Sequence, residues 1–294
     1  MPCIDQKVTD RWSLYRGDCI DVVRDLPDAS VGFSVFSPPF ASLYTYSDDD
    51  RDMGNCRDAD EFDAHFRYLT DELHRVIMPG RLVAMHCMDL PLSKMRDGHI
   101  GLRDFRGQLI RAMQDAGFVY HSQVTIWKDP VTAMQRTKAL GLLYKQLKKD
   151  SGRSRQGIPD YLVVFRKPGD NPEPISHDPE EFPVTLWQRY ASPVWMDIDQ
   201  SDTLQYRSAR EHDDERHICP LQLGVIRRAL RLWSNPDDVV LSPFAGIGSE
   251  GVVSLEMGRR FVGVELKASY YRQALANLTD LSQQATLFGA VSHG

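Results

Sequence analysis

The chain has 294 residues, of which 42% are hydrophobic and 26% charged, and its formal net charge is −6. This composition is that of an ordinary globular protein, and the length suits one large α/β domain or one domain with an insert. No apolar run is long enough to span a membrane, and the N-terminus lacks the apolar core of a signal peptide. Five cysteines without CxxC spacing are typical of a reducing compartment, so we expect a cytoplasmic protein. The negative charge argues against a protein that binds polyanions over its whole surface.

Strand-like and helix-like patterns alternate along the chain. The stretch 12–16 predicts a first strand that ends at Gly17-Asp18, and 19–26 has helical spacing. The apolar run 31–36 predicts a buried strand of a parallel sheet. Further strands are predicted at 81–87, 123–127, 161–167, 239–241 and 261–265, and further helices at 60–77, 102–116, 135–149, 221–232, 249–257 and 268–281. This alternation predicts an α/β fold with a doubly wound, mostly parallel sheet.

The stretch Ser37-Pro38-Pro39-Phe40 follows the predicted strand 31–36 directly. Two consecutive prolines end a strand, because neither has an N–H group for the sheet and each restricts the residue before it. The chain therefore leaves the sheet as a stiff loop with a hydroxyl group, carbonyl oxygens and an aromatic ring. Such loops at the carboxyl ends of strands are the usual ligand sites of α/β proteins, and a rigid turn without a function is the alternative.

A second loop follows the predicted strand 239–241. It contains Phe244-Ala245-Gly246-Ile247-Gly248 and leads into a predicted helix, and the next strand ends in Glu265. Glycines let the backbone approach a ligand closely, and a carboxylate at the end of the second strand suits two ribose hydroxyls. The sequence therefore predicts a site for a cofactor that contains a nucleoside.

Together, the two loops resemble those of the amino-group DNA methyltransferases, which methylate N4 of cytosine or N6 of adenine. The Ser-Pro-Pro-Phe stretch is similar to their catalytic motif, and the glycine loop is similar to their S-adenosylmethionine motif. The catalytic motif comes first, as in the circularly permuted β group, and the resemblance covers most of the chain except 169–216. It implies the fold of S-adenosylmethionine-dependent methyltransferases and catalysis by Ser37, Pro38, Pro39 and Phe40. It also implies cofactor contacts by Asp18, His217, Pro220, Ser242, Phe244, Ala245, Gly246, Gly248, Ser249 and Glu265.

Three details of the resemblance bear on the chemistry. Asp18 matches the acid that contacts the cofactor adenine, although Asp is also a favoured helix N-cap, and one carboxylate can do both. Many relatives carry an acid at the position of Ser242, where it meets the ammonium group of the cofactor, whereas serine offers only a hydrogen bond. Adenine-N6 enzymes usually carry Asp or Asn at the position of Ser37. The resemblance therefore favours N4 of cytosine as the target, with N6 of adenine as the alternative.

A basic segment interrupts this acidic chain. Residues 128–167 contain ten Lys or Arg residues and three acids. Basic side chains that neutralise phosphates release counterions and make DNA binding strongly salt-dependent. A solvated amphipathic helix is the alternative interpretation of 135–149. We expect the insert 128–157 to face the DNA backbone through Arg136, Lys138, Lys145, Lys148, Lys149, Arg153 and Arg155.

Residues 169–216 differ in character, with twelve acids, four arginines and several prolines. The resemblance implies the target-recognition region here, whereas the acidity favours a linker or a partner-binding arm. We divide the chain into a catalytic part at 1–168, this target-recognition or linker region, and a cofactor-binding part of the same domain at 217–294. Double-stranded DNA is the expected partner, and the resemblance also allows a homodimer and a cognate restriction endonuclease.

Two other functions fit parts of the sequence. The pattern Gly246-x-Gly248-x-x-Gly251 before a strand that ends in Glu265 also occurs in nicotinamide dehydrogenases. However, too few residues follow it for a complete dinucleotide domain, and the Ser-Pro-Pro-Phe stretch has no role in hydride transfer. A non-catalytic DNA-binding protein would explain the basic segment but neither loop. No spacing of His and Cys residues indicates a metal site.

Overall fold

The computed structural model describes residues 3–40, 52–56, 59–92, 94–137, 143–154, 156–205 and 220–291. Within these residues the strands are β1 (Cys3–Val8), β2 (Trp12–Gly17), β3 (Val31–Phe36), β4 (Ile77–Cys87), β5 (Leu90–Leu92), β6 (Gly101–Arg103), β7 (Val119–Ile126), β8 (Asp160–Arg166), β9 (Val194–Trp195), β10 (Val239–Ser242) and β11 (Arg260–Glu265). The α-helices are α1 (Cys19–Arg24), α2 (Ala59–Val76), α3 (Lys94–Asp97), α4 (Phe105–Asp115), α5 (Pro130–Thr137), α6 (Tyr144–Lys149), α7 (Val184–Tyr190), α8 (Leu223–Trp233), α9 (Ser249–Glu256) and α10 (Ala268–Val291).

Nine strands form one sheet in the order β1-β2-β11-β10-β3-β4-β8-β7-β9. The five strands from β2 to β4 in this order are parallel to one another, whereas β8 runs antiparallel to both β4 and β7. The predicted α/β fold with a mostly parallel sheet is therefore confirmed. Strands from the C-terminal part of the chain, β10 and β11, lie between the N-terminal strands β2 and β3. This is the arrangement expected of a permuted motif order.

Helices cover both faces of the sheet. Helices α1, α2 and α4 contribute to one buried cluster of apolar side chains, and α8, α9 and α10 contribute to the other. Strand β3 serves both clusters, since Phe36 belongs to the first and Phe33 and Val35 belong to the second. A strand that is buried on both faces has an almost continuous apolar sequence, which is why Val31–Phe36 was recognisable.

Three predicted helices differ clearly from the structure, and the last of them, predicted at 268–281, continues to Val291. The helix predicted at 102–116 begins only at Phe105, because Gly101–Arg103 pairs with Leu90–Leu92 in a separate two-stranded sheet. The single helix predicted at 135–149 is wrong: α5 and α6 are separate, and Leu143 is extended, with φ −69° and ψ 132°. Gly141 lies between them in the sequence, and glycine has a low helix propensity.

The described part of the acidic region, 169–205, packs against the sheet. Its strand β9 pairs with β7 at the sheet edge, and Trp195 is only 1% exposed. The guanidinium of Arg228 in α8 lies 5.1 Å from the Trp195 ring and pairs with Asp197 at 2.8 Å. This stretch is therefore a packed extension of the domain, although the role predicted for 169–216 stays a prediction.

A buried ion pair ties the amino-terminal ends of the central strands together. The guanidinium of Arg81 in β4 donates to the carboxylate of Asp238 and, at 2.8 Å, to the carbonyl oxygens of Gly32 and Glu173. Both charged side chains are almost fully buried. Among the described helices, none is long and apolar enough to cross a membrane.

Candidate functional site

The predicted site residues converge on one edge of the sheet. Strands β2, β11, β10 and β3 are neighbours and parallel, so their carboxyl ends lie side by side. Asp18 follows β2, Glu265 ends β11, the glycine loop follows β10, and Ser37 follows β3. Loops at the carboxyl ends of parallel strands form the ligand crevice of α/β folds.

The Ser-Pro-Pro-Phe loop begins where β3 ends. Ser37 and Phe40 are half-buried, and Pro38 is buried. The ring of Phe40 lies 6.1 Å from that of Phe105 in α4, so one part of Phe40 is anchored in the core while the rest stays accessible. The ring of Phe36, just before the loop, lies 5.8 Å from the ring of Phe244 in the glycine loop. The two loops are therefore in contact at their bases.

The Ser37 hydroxyl has a partner that the sequence did not reveal. Its Oγ lies 2.8 Å from Nδ1 of His86, which is the penultimate residue of β4. Nε2 of His86 lies 3.2 Å from a carboxylate oxygen of Asp160, the first residue of β8, and Lys128 contacts the other oxygen of that carboxylate. Burial would raise the pKa of Asp160, but His86 and Lys128 outweigh it and hold that pKa below its ordinary value.

The glycine loop turns tightly between β10 and α9. Gly246 and Gly248 have φ values of +53° and +87°, which favour glycine, and Gly248 is the N-cap of α9. A Cβ added to Gly246 would meet no atom within 4 Å, so open space lies in front of this residue. At Gly248, in contrast, an added Cβ would lie 3.3 Å from Cβ of Ala274 in α10. The first glycine thus faces the crevice, and the second allows close helix packing.

Glu265 supports the glycine loop from the next strand. Its carboxylate accepts hydrogen bonds at 2.8 Å from the backbone N–H groups of Gly246 and Lys267. Burial raises the pKa of Glu265 to about 7, against the lowering effect of these two N–H groups. Burial likewise raises the pKa of Glu250 in α9 to about 8, and the nearby Glu265 adds to this shift.

The remaining predicted cofactor residues differ in their exposure. Ser242 is fully buried, and its Oγ has no hydrogen-bond partner among the described residues. Ala245 and Ser249 are also buried, whereas Phe244 and Pro220 are half-buried. His217 lies outside the described residues.

Asp18 is an N-cap, since its carboxylate accepts from the backbone N–H of Ile20 at 2.7 Å. The alternative interpretation of Asp18 as a helix cap is therefore correct. Asp18 and Glu265 both act electrostatically on the buried thiol of Cys19, whose pKa burial raises well above its ordinary value. Asp18 thus lies close to Cys19 and Glu265, at the carboxyl ends of β2 and β11.

These features fit S-adenosylmethionine. Open space in front of Gly246 admits a ligand close to the backbone. The carboxylate of Glu265 suits ribose hydroxyls, and the unpartnered buried hydroxyl of Ser242 is a hydrogen-bonding group that a polar ligand would satisfy. Position 242 carries a neutral serine and not an acid.

The basic segment leaves the sheet at the same edge. Strand β7 ends at Ile126 and β8 begins at Asp160, and β8 pairs with the end of β4 at Cys87. Lys145, Lys148 and Lys149 are exposed on α6, which buries no side chain. Lys128, by contrast, is engaged with Asp160 inside the domain. Arg136 lies in α5 and Arg153 in a 3₁₀ turn, whereas Lys138 and Arg155 lie outside the described residues.

The sequence of this chain is similar to those of known DNA methylases. Residues 31–276 match the family described as DNA methylase. The DNA adenine methyltransferase YhdJ of Escherichia coli (strain K12) is 25% identical over 167 residues, which are 52% of this chain and 50% of YhdJ. The chain thus matches half the length of that relative.

Two solved structures share the fold. The putative DNA modification methylase TTHA0409 of Thermus thermophilus, crystallised with S-adenosyl-L-methionine, superposes with a TM-score of 0.68 at 23% identity over 92% of this chain and 95% of its own. The cytosine-N4-specific PvuII DNA methyltransferase superposes with a TM-score of 0.65 at 18% identity over 94% of this chain and 93% of its own. With the family match over most of its length, the chain belongs to the DNA methylases that act on N4 or N6 amino groups.

Proposed function

We propose that this protein is a site-specific DNA methyltransferase that acts on the exocyclic amino group of a flipped base, with S-adenosylmethionine as the methyl donor. The observation that carries the proposal is the position of the Ser37–Phe40 loop beside the glycine loop, with the rings of Phe36 and Phe244 5.8 Å apart. A base amine held at the first loop would face a methyl group held at the second.

Ser37 and Pro38 prepare the amine for attack. An exocyclic amino nitrogen is a poor nucleophile because its lone pair is conjugated with the ring. When Ser37 Oγ and the Pro38 carbonyl oxygen accept its two N–H groups, the lone pair is held out of conjugation and aimed at the methyl group. Bound S-adenosylmethionine supplies an electrophilic methyl group. Catalysis then rests on positioning and electrostatics, without a covalent enzyme intermediate.

The cofactor residues act by position and by charge. Glu265 would accept the ribose hydroxyls, and the hydrogen bonds from the N–H groups of Gly246 and Lys267 hold its carboxylate in place. Asp18, at the end of the neighbouring strand β2, would accept a hydrogen bond from the amino group of the cofactor adenine. Ser242 would hydrogen-bond the ammonium end, and the open space in front of Gly246 would admit the nucleoside.

Phe40 suits a base that has left the duplex. An amino group in a duplex is not accessible to these loops, so the base must be flipped, at a cost of a few kcal/mol. Stacking on an aromatic ring recovers roughly 1–3 kcal/mol per base. Phe105 braces the ring of Phe40 from the core side. The exposed lysines of α6, which belong to the segment between β7 and β8, would contact the phosphates.

Cytosine N4 is the favoured target. Ser37 stands where adenine-N6 enzymes usually carry Asp or Asn, and the structurally similar PvuII enzyme is specific for cytosine N4. Adenine N6 is the second candidate, because YhdJ is a DNA adenine methyltransferase. Both amines present two N–H groups to the same acceptors.

The experiment is methylation of DNA from a strain that lacks its own DNA methyltransferases, followed by nucleoside mass spectrometry. We expect N4-methylcytosine that depends on S-adenosylmethionine. N6-methyladenine would correct the target base, and the absence of any methylated nucleoside would overturn the proposal.

A further inference from the structure

Two buried polar side chains behind the Ser37–Phe40 loop, and a half-buried lysine that contacts one of them, have no role in the mechanism above. His86 is 8% exposed and Asp160 is 2% exposed, and they come from the adjacent strands β4 and β8. Lys128, just after β7, completes the set by contacting Asp160. Burying charged side chains is costly unless they are paired. Here the contacts run from Lys128 to Asp160, from Asp160 to His86 and from His86 to the Ser37 hydroxyl, so we expect this arrangement to have a function.

The contacts assign the protons in this set. Asp160 is ionised at neutral pH, because His86 and Lys128 hold its pKa below the ordinary value despite its burial. A carboxylate only accepts, so the nitrogen that faces it at 3.2 Å, Nε2 of His86, carries the proton. The angle between Nε2 and the Asp160 carboxylate is not that of an ideal hydrogen bond. However, Nε2 has no other partner among the described residues. Lys128 balances the charge of Asp160, so a neutral imidazole suffices.

The neutral imidazole then presents Nδ1 as an acceptor. The Ser37 hydroxyl, 2.8 Å away, donates its proton to Nδ1. A hydroxyl whose proton is engaged in this way directs its lone pairs elsewhere, and those lone pairs are what an amine N–H needs. We infer that His86, held by Asp160, is a positioning residue that orients Ser37 as an acceptor for the target amine and takes up the proton that the amine releases. This inference rests on the proposed function.

The proton transfer is balanced without a further reagent. Once methylated, the amine nitrogen carries one proton too many. Its N–H bond breaks as an O–H bond forms at Ser37 Oγ, and the original Ser37 O–H bond breaks as an N–H bond forms at Nδ1 of His86. The imidazolium is stabilised by the carboxylate of Asp160. After product release the proton passes from His86 to water.

The test is a double-mutant cycle on the single-turnover rate of methyl transfer, with saturating S-adenosylmethionine and DNA from a methyltransferase-deficient strain. We expect His86→Leu to lower the rate by about 100-fold, the usual size of a general-base effect, with cofactor affinity within about twofold of wild type. Because His86 acts through Ser37, the double variant Ser37→Ala/His86→Leu is expected to be no slower than Ser37→Ala alone. Cys87→Ala, at the adjacent buried position in β4, is the control and leaves the rate unchanged.

The outcomes separate the two proposals. The inference is overturned if His86→Leu has the wild-type rate, or if the double variant loses rate by the product of the two single losses. Neither result contradicts the proposed methyl transfer. Absence of transfer by the wild-type protein overturns both. If His86→Leu does not bind the cofactor, His86→Asn decides: it retains an acceptor near Nδ1 but takes up no proton, and we expect a rate at least about tenfold below wild type. A wild-type rate for His86→Asn removes the proton-uptake role.

Discussion

The rings of Phe36 and Phe244 lie 5.8 Å apart, although one precedes the Ser-Pro-Pro-Phe loop and the other belongs to the glycine loop. The strands below them are also tied, since the buried hydroxyl of Ser34 donates to the carbonyl oxygen of Leu241 at 2.8 Å, across 207 residues of sequence. The two loops are thus held in a fixed relation by β3 and β10. A methyl donor and a methyl acceptor bound to them would meet without a large movement of the sheet.

Cofactor binding is expected to depend on pH through Glu265. Burial raises the pKa of this carboxyl to about 7, and the ribose hydroxyls bind its ionised form best. The affinity for S-adenosylmethionine therefore rises as the pH increases from 6 to 8, by up to about tenfold, as the carboxyl loses its proton. Isothermal titration calorimetry at several pH values measures this. Glu265→Gln is expected to bind roughly 10–100-fold more weakly at pH 8, with no such pH dependence.

The matched control for Glu265 is Glu256→Gln in α9, whose side chain is 39% exposed and pairs with Arg227. We expect this variant to keep wild-type affinity and pH dependence. Wild-type affinity in Glu265→Gln would mean that another group holds the ribose.

Glu250 is expected to make the ligand-free protein less stable at high pH. Burial raises its pKa to about 8 from an ordinary value of 4.5. A carboxyl whose pKa is raised on folding contributes its full stabilisation below the unfolded pKa and loses it as the pH rises through the folded pKa. Between pH 6 and 9 the free energy of unfolding therefore falls, by an amount on the order of a few kcal/mol. Glu250→Gln is expected to flatten this decrease in urea-denaturation experiments, and an unchanged pH slope in the variant would contradict this role.

The lysines of α6 are expected to set the salt dependence of DNA binding. Each lysine that neutralises a phosphate contributes about one unit to the slope of log K against log salt concentration. The triple variant Lys145→Gln/Lys148→Gln/Lys149→Gln is therefore expected to reduce this slope by up to about three units, as measured by fluorescence anisotropy. Lys7→Gln on the exposed strand β1 is the control with an unchanged slope. An unchanged slope in the triple variant would indicate that α6 faces solvent and not DNA.

Asp238→Ala is expected to destabilise the fold without altering the site. It leaves the fully buried guanidinium of Arg81 without its carboxylate, and loss of one partner of a buried pair costs about 3–5 kcal/mol. Asp28→Ala removes an exposed partner of Arg75 and is expected to cost less than about 1 kcal/mol. Chemical denaturation compares the two. A similar small loss in both variants would show that the buried pair is not a major contribution to stability.

Local patterns were sufficient to predict most of the sheet. Val31–Phe36 was identifiable because burial on both faces requires an apolar residue at nearly every position. The Pro38-Pro39 pair and the glycines of the second loop both indicate loops. They can be recognised without knowledge of the fold, because the restricted backbone of proline and the positive φ angles of glycine are properties of single residues. From these signals both loops could be predicted at the ends of strands. The loops lie close together because the two strands, β3 and β10, pair in parallel.

Features that depend on pairing between distant strands were missed. His86 and Asp160 meet only because β4 and β8 pair antiparallel with Cys87 opposite Tyr161, a register that neither strand encodes alone. The one signal was their polarity at the ends of apolar strands. The edge strand Val194–Trp195 was missed for a similar reason, since it is too short to show alternation and lies in an acidic, proline-rich stretch.

The most direct test of the proposed methyl transfer is a paired measurement on Ser37→Ala: the single-turnover rate of methyl transfer to DNA and the dissociation constant for S-adenosylmethionine. We predict a loss of rate of at least about 100-fold, because the amine loses an oriented acceptor, with an unchanged dissociation constant, because the cofactor is held by the glycine loop and Glu265. A wild-type rate in Ser37→Ala would contradict the role of this hydroxyl as the acceptor for the target amine.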